Sequence, residues 1–347
     1  MGAISSAVRV AVDATGGDFG LPVVVRGALA ACRDLGLRVR MVGPARLVEA
    51  EVERQGGTGL GMEMTDAEEI VGMGEAVTHS TLKRRSSIQM ALECVRDNQA
   101  DTFFSAGNTA ACWAIAKLVL GTLDEVRRPA LAAVVPTPRG RTLLIDVGAN
   151  TGCSASQLEE FAVMGTVYMR RMFGLAQPRV GLMSTGEEET KGSDLTKQVH
   201  EALRGSQLNF MGNVEGHDIF NERVDVVVMD GFTGNVVLKA SETLAEAMIQ
   251  LVREEARRSW RTRLGALLAG PALRAAQRRV DPAEHGGAPL LGVRGCCYIG
   301  HGRSTWAAVK QGIRAAAEFF ASGVNGELQV ELAALAARRR LQREATA

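Results

Sequence analysis

At 347 residues, with 46% hydrophobic side chains, the chain is long enough for one large α/β unit or two lobes sharing a sheet. Its 40 basic and 39 acidic residues leave a net charge of +1, which gives no reason to expect nucleic acid as a partner. With no apolar leader at its start and no run able to span a bilayer, the expected compartment is the cytoplasm, with contact to a membrane surface left open.

Short apolar strands alternate with amphipathic helices. Val8–Val12 reads as a strand, Val23–Leu35 as a helix and Val39–Val42 as a strand; Ala45–Gln55 (helix), Gly59–Met64 (strand) and Ile88–Val95 (helix) continue the series. Further strands are predicted at Asp101–Ser105, Leu131–Val135, Thr142–Asp146, Arg179–Met183, Asn209–Met211 and Val224–Met229. Continuous Val/Leu/Ile runs alternating with helices predict a mostly parallel sheet covered on both faces. The six cysteines form no C-x-x-C pair and read as buried, reduced thiols; the five histidines lack metal-ligand spacing, so no metal is expected.

Arg253–Arg279 departs from this texture, holding eight arginines against two acids. Trp260, Leu264, Leu267 and Leu268 fall on one helical face, and Gly270–Pro271 marks a break before helical pattern resumes. The stretch reads as a helical hairpin with an apolar tip and basic flank, suited to a membrane interface or a partner, or else to packing on its own core or across a dimer. The tail with Arg338–Arg340 reads as a solvated helix end.

Chemistry concentrates in loops after strands. Asp13, Gly16, Gly17 and Asp18 follow the first; Ser105, Gly107, Asn108 and Thr109 precede a helix; Asp146, Gly148 and Asn150 follow another strand. Asp230, Gly231, Gly234 and Asn235 form a fourth loop, and His301, Gly302 and Ser304 a fifth. Glycine lets backbone N–H groups approach an oxyanion, and a following helix N-terminus adds positive potential. Converging, the five would make a donor-rich cleft for a phosphate or a carbonyl oxyanion. The segment V-G-L-M-S-T-G-E-E-E-T-K-G-S-D, Val180 to Asp194, adds three glutamates and Lys191 at a strand end, either an anion site or an acidic turn capping a helix. No G-x-G-x-x-G, G-x-S-x-G or Walker loop is present, which counts against a Rossmann dehydrogenase, a serine hydrolase and a P-loop kinase.

Together these loops resemble the phosphate acyltransferase (PlsX) family of bacterial phospholipid synthesis. The likeness runs from V-A-V-D-A-T-G-G-D-F-G to H-G-R-S-T-W-A-A-V-K, through S-A-G-N-T, R-P-A-L-A-A-V-V-P-T, D-V-G-A-N, E-E-F-A-V-M-G, G-E-E-E-T-K-G, N-F-M-G-N-V-E-G-H-D-I-F, D-G-F-T-G-N-V-V-L-K and G-G-A-P-L-L-G. The resemblance implies an isocitrate/isopropylmalate dehydrogenase-like fold, one domain over 1–347 with the hairpin inserted at about 253–279, and a homodimer. It implies transfer of a long acyl chain from the thioester of acyl carrier protein to inorganic phosphate. The acyl phosphate would feed a membrane glycerol-3-phosphate acyltransferase, with no metal or nucleotide cofactor. The membrane reading of Trp260, Leu264, Leu267 and Leu268 gains support, because family members are peripheral and carry a helical pair here.

The family's catalytic pair maps onto Lys191, as the cation for phosphate or the developing oxyanion, and Asn235, as donor to the carbonyl oxygen. Glu187, Glu188 and Glu189 are expected to be counter-charges holding Lys191, or one of them to act on a proton. Asp13, Gly16, Gly17, Asp18, Ser105, Asn108, Thr109, Asp146, Asn150, Glu188, Asp230, His301 and Ser304 are expected to bind substrate or line the cleft. Departures from the family pattern are Thr15 for a methionine, Arg85 and Gly152 for acids, and Arg303–Ser304–Thr305 where the family has S-S-D. Other readings are a coenzyme A-dependent phosphate acetyl- or butyryltransferase, an isopropylmalate-type dehydrogenase whose metal-binding aspartates and arginine-rich motif are not evident, and a non-catalytic scaffold at the membrane.

Overall fold

The computed structural model describes residues 8–280 and 286–346. Its strands and helices are β1 (Arg9–Asp13), α1 (Leu21–Leu35), β2 (Arg38–Gly43), α2 (Ala45–Arg54), β3 (Glu63–Asp66), α3 (His79–Lys83), α4 (Ser87–Arg96), β4 (Thr102–Ser105) and α5 (Thr109–Val119). Then come β5 (Ala130–Pro136), β6 (Arg141–Ile145), α6 (Ala155–Phe173), β7 (Arg179–Met183), α7 (Asp194–Arg204), β8 (Asn209–Val214) and β9 (Val226–Val228). The chain continues with α8 (Gly231–Arg257), α9 (Trp260–Val280), β10 (Ala288–Leu291), β11 (Cys296–Ile299), α10 (Trp306–Ala321) and α11 (Val324–Thr346).

The strands form one 11-stranded sheet in the order β3-β2-β1-β4-β11-β10-β5-β6-β9-β7-β8. Val10, Val12, Phe104, Leu143, Ile145, Val226 and Val228 are fully buried and meet α1, α6, α7, α10 and α11 on one face. Ala11, Phe103, Leu144 and Val227 meet α4, α5 and the turn at Ile219 on the other. Covering both faces is what continuous apolar strands demand, because neither side can be left to water. The α/β class and the mostly parallel sheet hold.

Strand direction has a consequence for the loops. β1, β2, β3, β4 and β11 run parallel to one another, β10 and β5 pair antiparallel with their neighbours, and β6, β9, β7 and β8 run parallel again. The reversal occurs at the β5–β6 hairpin, where Thr137 N–H donates to Gly140 O at 3.1 Å and Gly140 N–H to Thr137 Oγ1 at 2.9 Å. Loops after β1, β4 and β11 therefore leave the sheet opposite to those after β6, β9 and β7.

Several elements differ from expectation. The third strand starts at Glu63 rather than Gly59, because Gly59 and Gly61 take φ of 87° and 67°, outside extended backbone. The β10–β11 hairpin had no strand predicted for it. The hairpin of helices is longer than 253–279: its first arm is α8 from Gly231, and it turns at Ser259, whose Oγ accepts the Thr262 N–H at 3.2 Å as an N-cap. Pro271 lies inside α9 rather than breaking it. The C-terminal helix is docked, not solvated: Arg339 bridges Glu159 at 2.7 Å and Glu160 at 3.0 Å on α6, and Arg340 pairs with Glu125 at 2.7 Å.

Candidate active site

Three groups of loops emerge. In the first, Asp13 is buried at the end of β1, and its carboxylate accepts from Ser105 Oγ at 2.7 Å and from the Thr15 N–H and hydroxyl at 3.1 and 3.0 Å. Gly16 stacks on Gly107 so closely that a Cβ there would lie 2.6 Å from the Gly107 nitrogen, which explains the glycine. The Asp18 N–H donates to Gly302 O at 2.8 Å, and the Ser304 N–H and hydroxyl both reach His301 O. Asn108 caps α5 through Ala111 N–H and donates to the carbonyls of Gly72, Met73 and Glu75, while Thr109 begins α5. Asp13, Gly16, Gly17, Asp18, Ser105, Asn108, Thr109, His301 and Ser304 thus form one cluster.

The second group is at β6 and β9. Asp146 accepts from the backbone N–H groups of Leu131, Gly148, Ala149 and Asn150 and from Asn150 Nδ2, at 2.7–3.3 Å. Burial pushes its carboxyl upward, opposed by the Ala149 amide and the Asn150 side chain. Asp230 caps α8, accepting from the N–H groups of Phe232 and Thr233 at 3.0 and 3.1 Å. Gly231 N–H bonds Asn150 O at 2.7 Å, and a Cβ on Gly234 would fall 1.8 Å from Asp146 O, so only glycine lets α8 dock here. That docking lays Asn235 across Gly148, where a Cβ would be 3.6 Å from the asparagine side chain.

The five glycine-bearing loops therefore split into two clusters rather than one. Helix α8 connects them. From Gly231 to Glu242 it rises about 16 Å, the length of a five-residue strand, and Glu242 comes within electrostatic reach of His301. Burial raises the Glu242 carboxyl and His301 opposes that shift. Asn235 and Glu242, seven residues apart, share one helix face.

The third group carries Lys191, on the exposed turn between β7 and α7. Two of the glutamates beside it, Glu187 and Glu189, are paired elsewhere rather than serving as its counter-charges. Glu187 pairs with Arg223 at 2.6 Å and Glu189 with Arg204 at 3.0 Å, with His200 Nε2 3.6 Å from the Glu189 carboxylate. Among the described residues no carboxylate forms an ion pair with Lys191; the guanidiniums, reaching in from α7 and the segment before β9, hold Glu189 and Glu187 instead. Glu188 is exposed on the same turn. Glu187, His217 and Asp218 have ligand atoms within 4.8 Å of one another, but Arg223 already contacts Glu187 and Asp218, so a cationic group stands where a metal would. β7 and β9 are hydrogen-bonded parallel neighbours, so the Lys191 turn and the Asn235 helix start leave the sheet at the same edge.

The departures find local explanations. Thr15 ties Asp13 to Ser87 through its hydroxyl, 2.8 Å from Ser87 Oγ. Thr305 is the N-cap of α10, its Oγ1 accepting the Ala308 N–H at 3.3 Å, a role aspartate also fills. Thr305→Ala is expected to lower unfolding free energy by about 1 kcal/mol with an unchanged denaturant slope, read by urea titration. Gly152 and Arg303 are exposed, and Arg85 donates its N–H to Glu69 at 2.8 Å on the surface.

A sequence model for a family described as "Fatty acid synthesis protein" matches residues 8–327. Over 329 residues the chain is 46% identical to the phosphate acyltransferase of Acidobacterium capsulatum, covering 94% of this chain and 97% of that one. The chain belongs to the phosphate acyltransferase family. A second member, from Aquifex aeolicus, is 42% identical over 330 residues, with 94% and 98% covered. Solved structures share the fold at low identity. A phosphotransacetylase from Streptococcus pyogenes superposes with a TM-score of 0.63 at 15% identity, over 91% of this chain and 95% of that one. A 4-hydroxythreonine-4-phosphate dehydrogenase from Klebsiella pneumoniae gives 0.53 at 12%, over 90% and 99%. The expected dehydrogenase-like fold is thus shared with phosphate-acyl and dehydrogenase enzymes alike.

The hairpin α8–α9 leaves Trp260, Leu267 and Leu268 71%, 75% and 76% exposed, and Leu264 exposed beside them. The apolar stripe does not pack on this chain's own core. No helix among the described residues is long and apolar enough to cross a membrane.

Proposed function

We propose that this phosphate acyltransferase takes its long acyl chain from the phosphopantetheine thioester of acyl carrier protein, with Lys191 and Asn235 at the reacting atoms. Phosphate is a competent oxyanion nucleophile near neutral pH, so its oxygen attacks the thioester carbonyl directly, without an acyl-enzyme. The tetrahedral intermediate collapses with loss of the thiolate, which takes a proton from solvent. Positioning and electrostatic stabilisation supply the rate. Lys191 holds the phosphate or the developing oxyanion; Asn235, set at the start of α8, donates to the carbonyl oxygen, where the helix N-terminus adds positive potential.

The observation carrying this reading is a lysine two of whose neighbouring acids, Glu187 and Glu189, are drawn off to arginines, on the turn after β7, the strand next to the one that delivers Asn235. A lysine without a carboxylate partner leaves its ammonium uncompensated for an anionic substrate. The loops at Asp13–Asp18, Ser105–Thr109, Asp146–Asn150 and His301–Ser304 would frame the cleft beneath α8. The buried aspartates Asp13 and Asp146 are turned inward onto their own loops, which keeps those acidic oxygens from facing phosphate. Comparing acyl-carrier protein with acyl-coenzyme A as donor tests the substrate. A strong preference for the carrier is expected; equal or better use of coenzyme A would contradict it.

The same reading takes the chain as one domain and a homodimer, cytoplasmic and peripheral on the membrane, passing acyl phosphate to a glycerol-3-phosphate acyltransferase there. The exposed tip at Trp260, Leu264, Leu267 and Leu268, beside eight arginines, suits an anionic lipid surface. Leu267→Glu or Trp260→Glu should lower partition onto anionic vesicles by about 10- to 100-fold, since burying one large apolar side chain is worth about 1.5–3 kcal/mol. Flotation measures this, and unchanged lipid binding in both variants would remove the hairpin as the anchor. Acyl carrier protein is acidic as a class, so the basic flank is also where it would dock.

A further inference from the structure

We infer that Asn213 is a positioning residue for Lys191, an inference that rests on Lys191 being the phosphate-facing cation. Asn213 is 1% exposed, near the end of β8. Its Nδ2 donates to the Glu188 carbonyl at 2.9 Å, and that same oxygen accepts the Lys191 N–H at 3.0 Å. One acceptor thus joins the hydrogen bond that closes the Lys191 turn to a strut from the neighbouring strand.

The other end of the amide is fixed as well. Because Nδ2 donates to Glu188, Oδ1 accepts, so His200 Nδ1, 3.0 Å away, carries the proton. His200 is buried on α7 and stacks edge-on against Phe210, with ring centroids 5.1 Å apart. Its Nε2 faces Glu189, which Arg204 also holds. A continuous set of contacts therefore runs from α7 through Asn213 to the backbone three residues before Lys191.

The backbone of β8 is arranged for this contact. Val180 pairs with Phe210, but Leu182 pairs with Asn213, so β8 carries one extra residue opposite β7, with Gly212 at φ 95°. In a regular strand, positions 210 and 213 would face opposite sides of the sheet. The bulge puts them on the same side, where His200 meets both. A buried amide with both ends engaged is costly to desolvate, and an apolar residue would serve packing alone. The strut is buried while the turn it holds, Glu187–Lys191, is exposed. This accounts physically for the second asparagine of N-F-M-G-N-V-E-G-H-D-I-F.

The test is a double-mutant cycle on the full-length chain, with acyl-carrier protein and inorganic phosphate, acyl phosphate being trapped as the hydroxamate. Asn213→Asp puts a carboxylate oxygen against the Glu188 carbonyl and should lower kcat/KM for phosphate by about 10- to 100-fold, because a displacement near 1 Å can cost about that much. In a Lys191→Ala background the same change should cost less than about 2-fold, since its effect passes through Lys191. Where turnover is too slow to follow, the cycle is read as the phosphate Kd by calorimetry. Equal losses in both backgrounds, or no loss beside Lys191, would overturn the inference. Near-normal activity of Lys191→Ala by itself would instead sink the assignment of Lys191. If circular dichroism shows Asn213→Asp unfolded, Asn213→Ser, too short to reach the carbonyl, carries the same cycle and the same expectations.

Discussion

Lys191→Ala is expected to lower acyl phosphate formation by more than about 1000-fold, above the range typical for loss of one oxyanion donor. The lysine is exposed, and no carboxylate of the described residues pairs with it, so its removal breaks no ion pair of the fold. Thermal stability should accordingly stay near that of the parent chain, and the loss should appear in kcat/KM for phosphate. Lys191→Arg keeps a cation but replaces a compact ammonium with a longer planar fork, so partial activity is the expected outcome. Steady-state kinetics with varied phosphate measures both variants. Near-normal turnover by Lys191→Ala would show that phosphate is held elsewhere.

Asn235→Ala should lower kcat by about 100- to 1000-fold, the range for a single uncharged donor to a tetrahedral oxyanion. Asn235 lies one turn into α8 and over Gly148, so the substitution removes the amide while leaving the Asp230 cap and the Gly234 docking point in place. The side chain is half-buried, and helix propensity favours alanine, so stability should change little. Asn235→Asp, which replaces a donor with a negative charge beside a developing oxyanion, should be at least as damaging. Pre-steady-state trapping of acyl phosphate separates loss of chemistry from slow product release. A kcat unchanged in Asn235→Ala would exclude the amide as the carbonyl donor.

The class of fold was legible because strands such as V-A-V and T-L-L-I are apolar on both faces, a pattern that only a covered, mostly parallel sheet satisfies. The reversal at β5–β6 was harder to read, although P-T-P-R-G carries turn signals. Pairing direction depends on partners far away in the chain, and the antiparallel β10 inserted between β11 and β5 could not be inferred from the strands themselves. Missing that reversal is why five loops were expected to converge, when α8 in fact spans two clusters.

The helical hairpin shows the same limit on a smaller scale. Gly270–Pro271 reads as a break by propensity, yet the chain turns at Ser259, where a side-chain cap satisfies the new helix start. The signal was present in Ser259 and Thr262. At the site, the identity of Lys191 and Asn235 came from motifs, while the partners of Glu187 and Glu189 did not. Arg204 and Arg223 lie 15 and 36 residues beyond the acids they hold, His200 lies 11 beyond the Glu189 it faces, and only folding brings them to the turn. Arg339, read as part of a solvated tail, is likewise fixed by Glu159 and Glu160, 180 and 179 residues away.

Thioester loss from a long-chain acyl carrier protein, followed with and without inorganic phosphate and with hydroxylamine trapping of the product, bears on the central claim most directly. Phosphate-dependent loss matched by an equal yield of acyl hydroxamate is the predicted result. Loss that proceeds without phosphate, or no loss with it, would contradict the account.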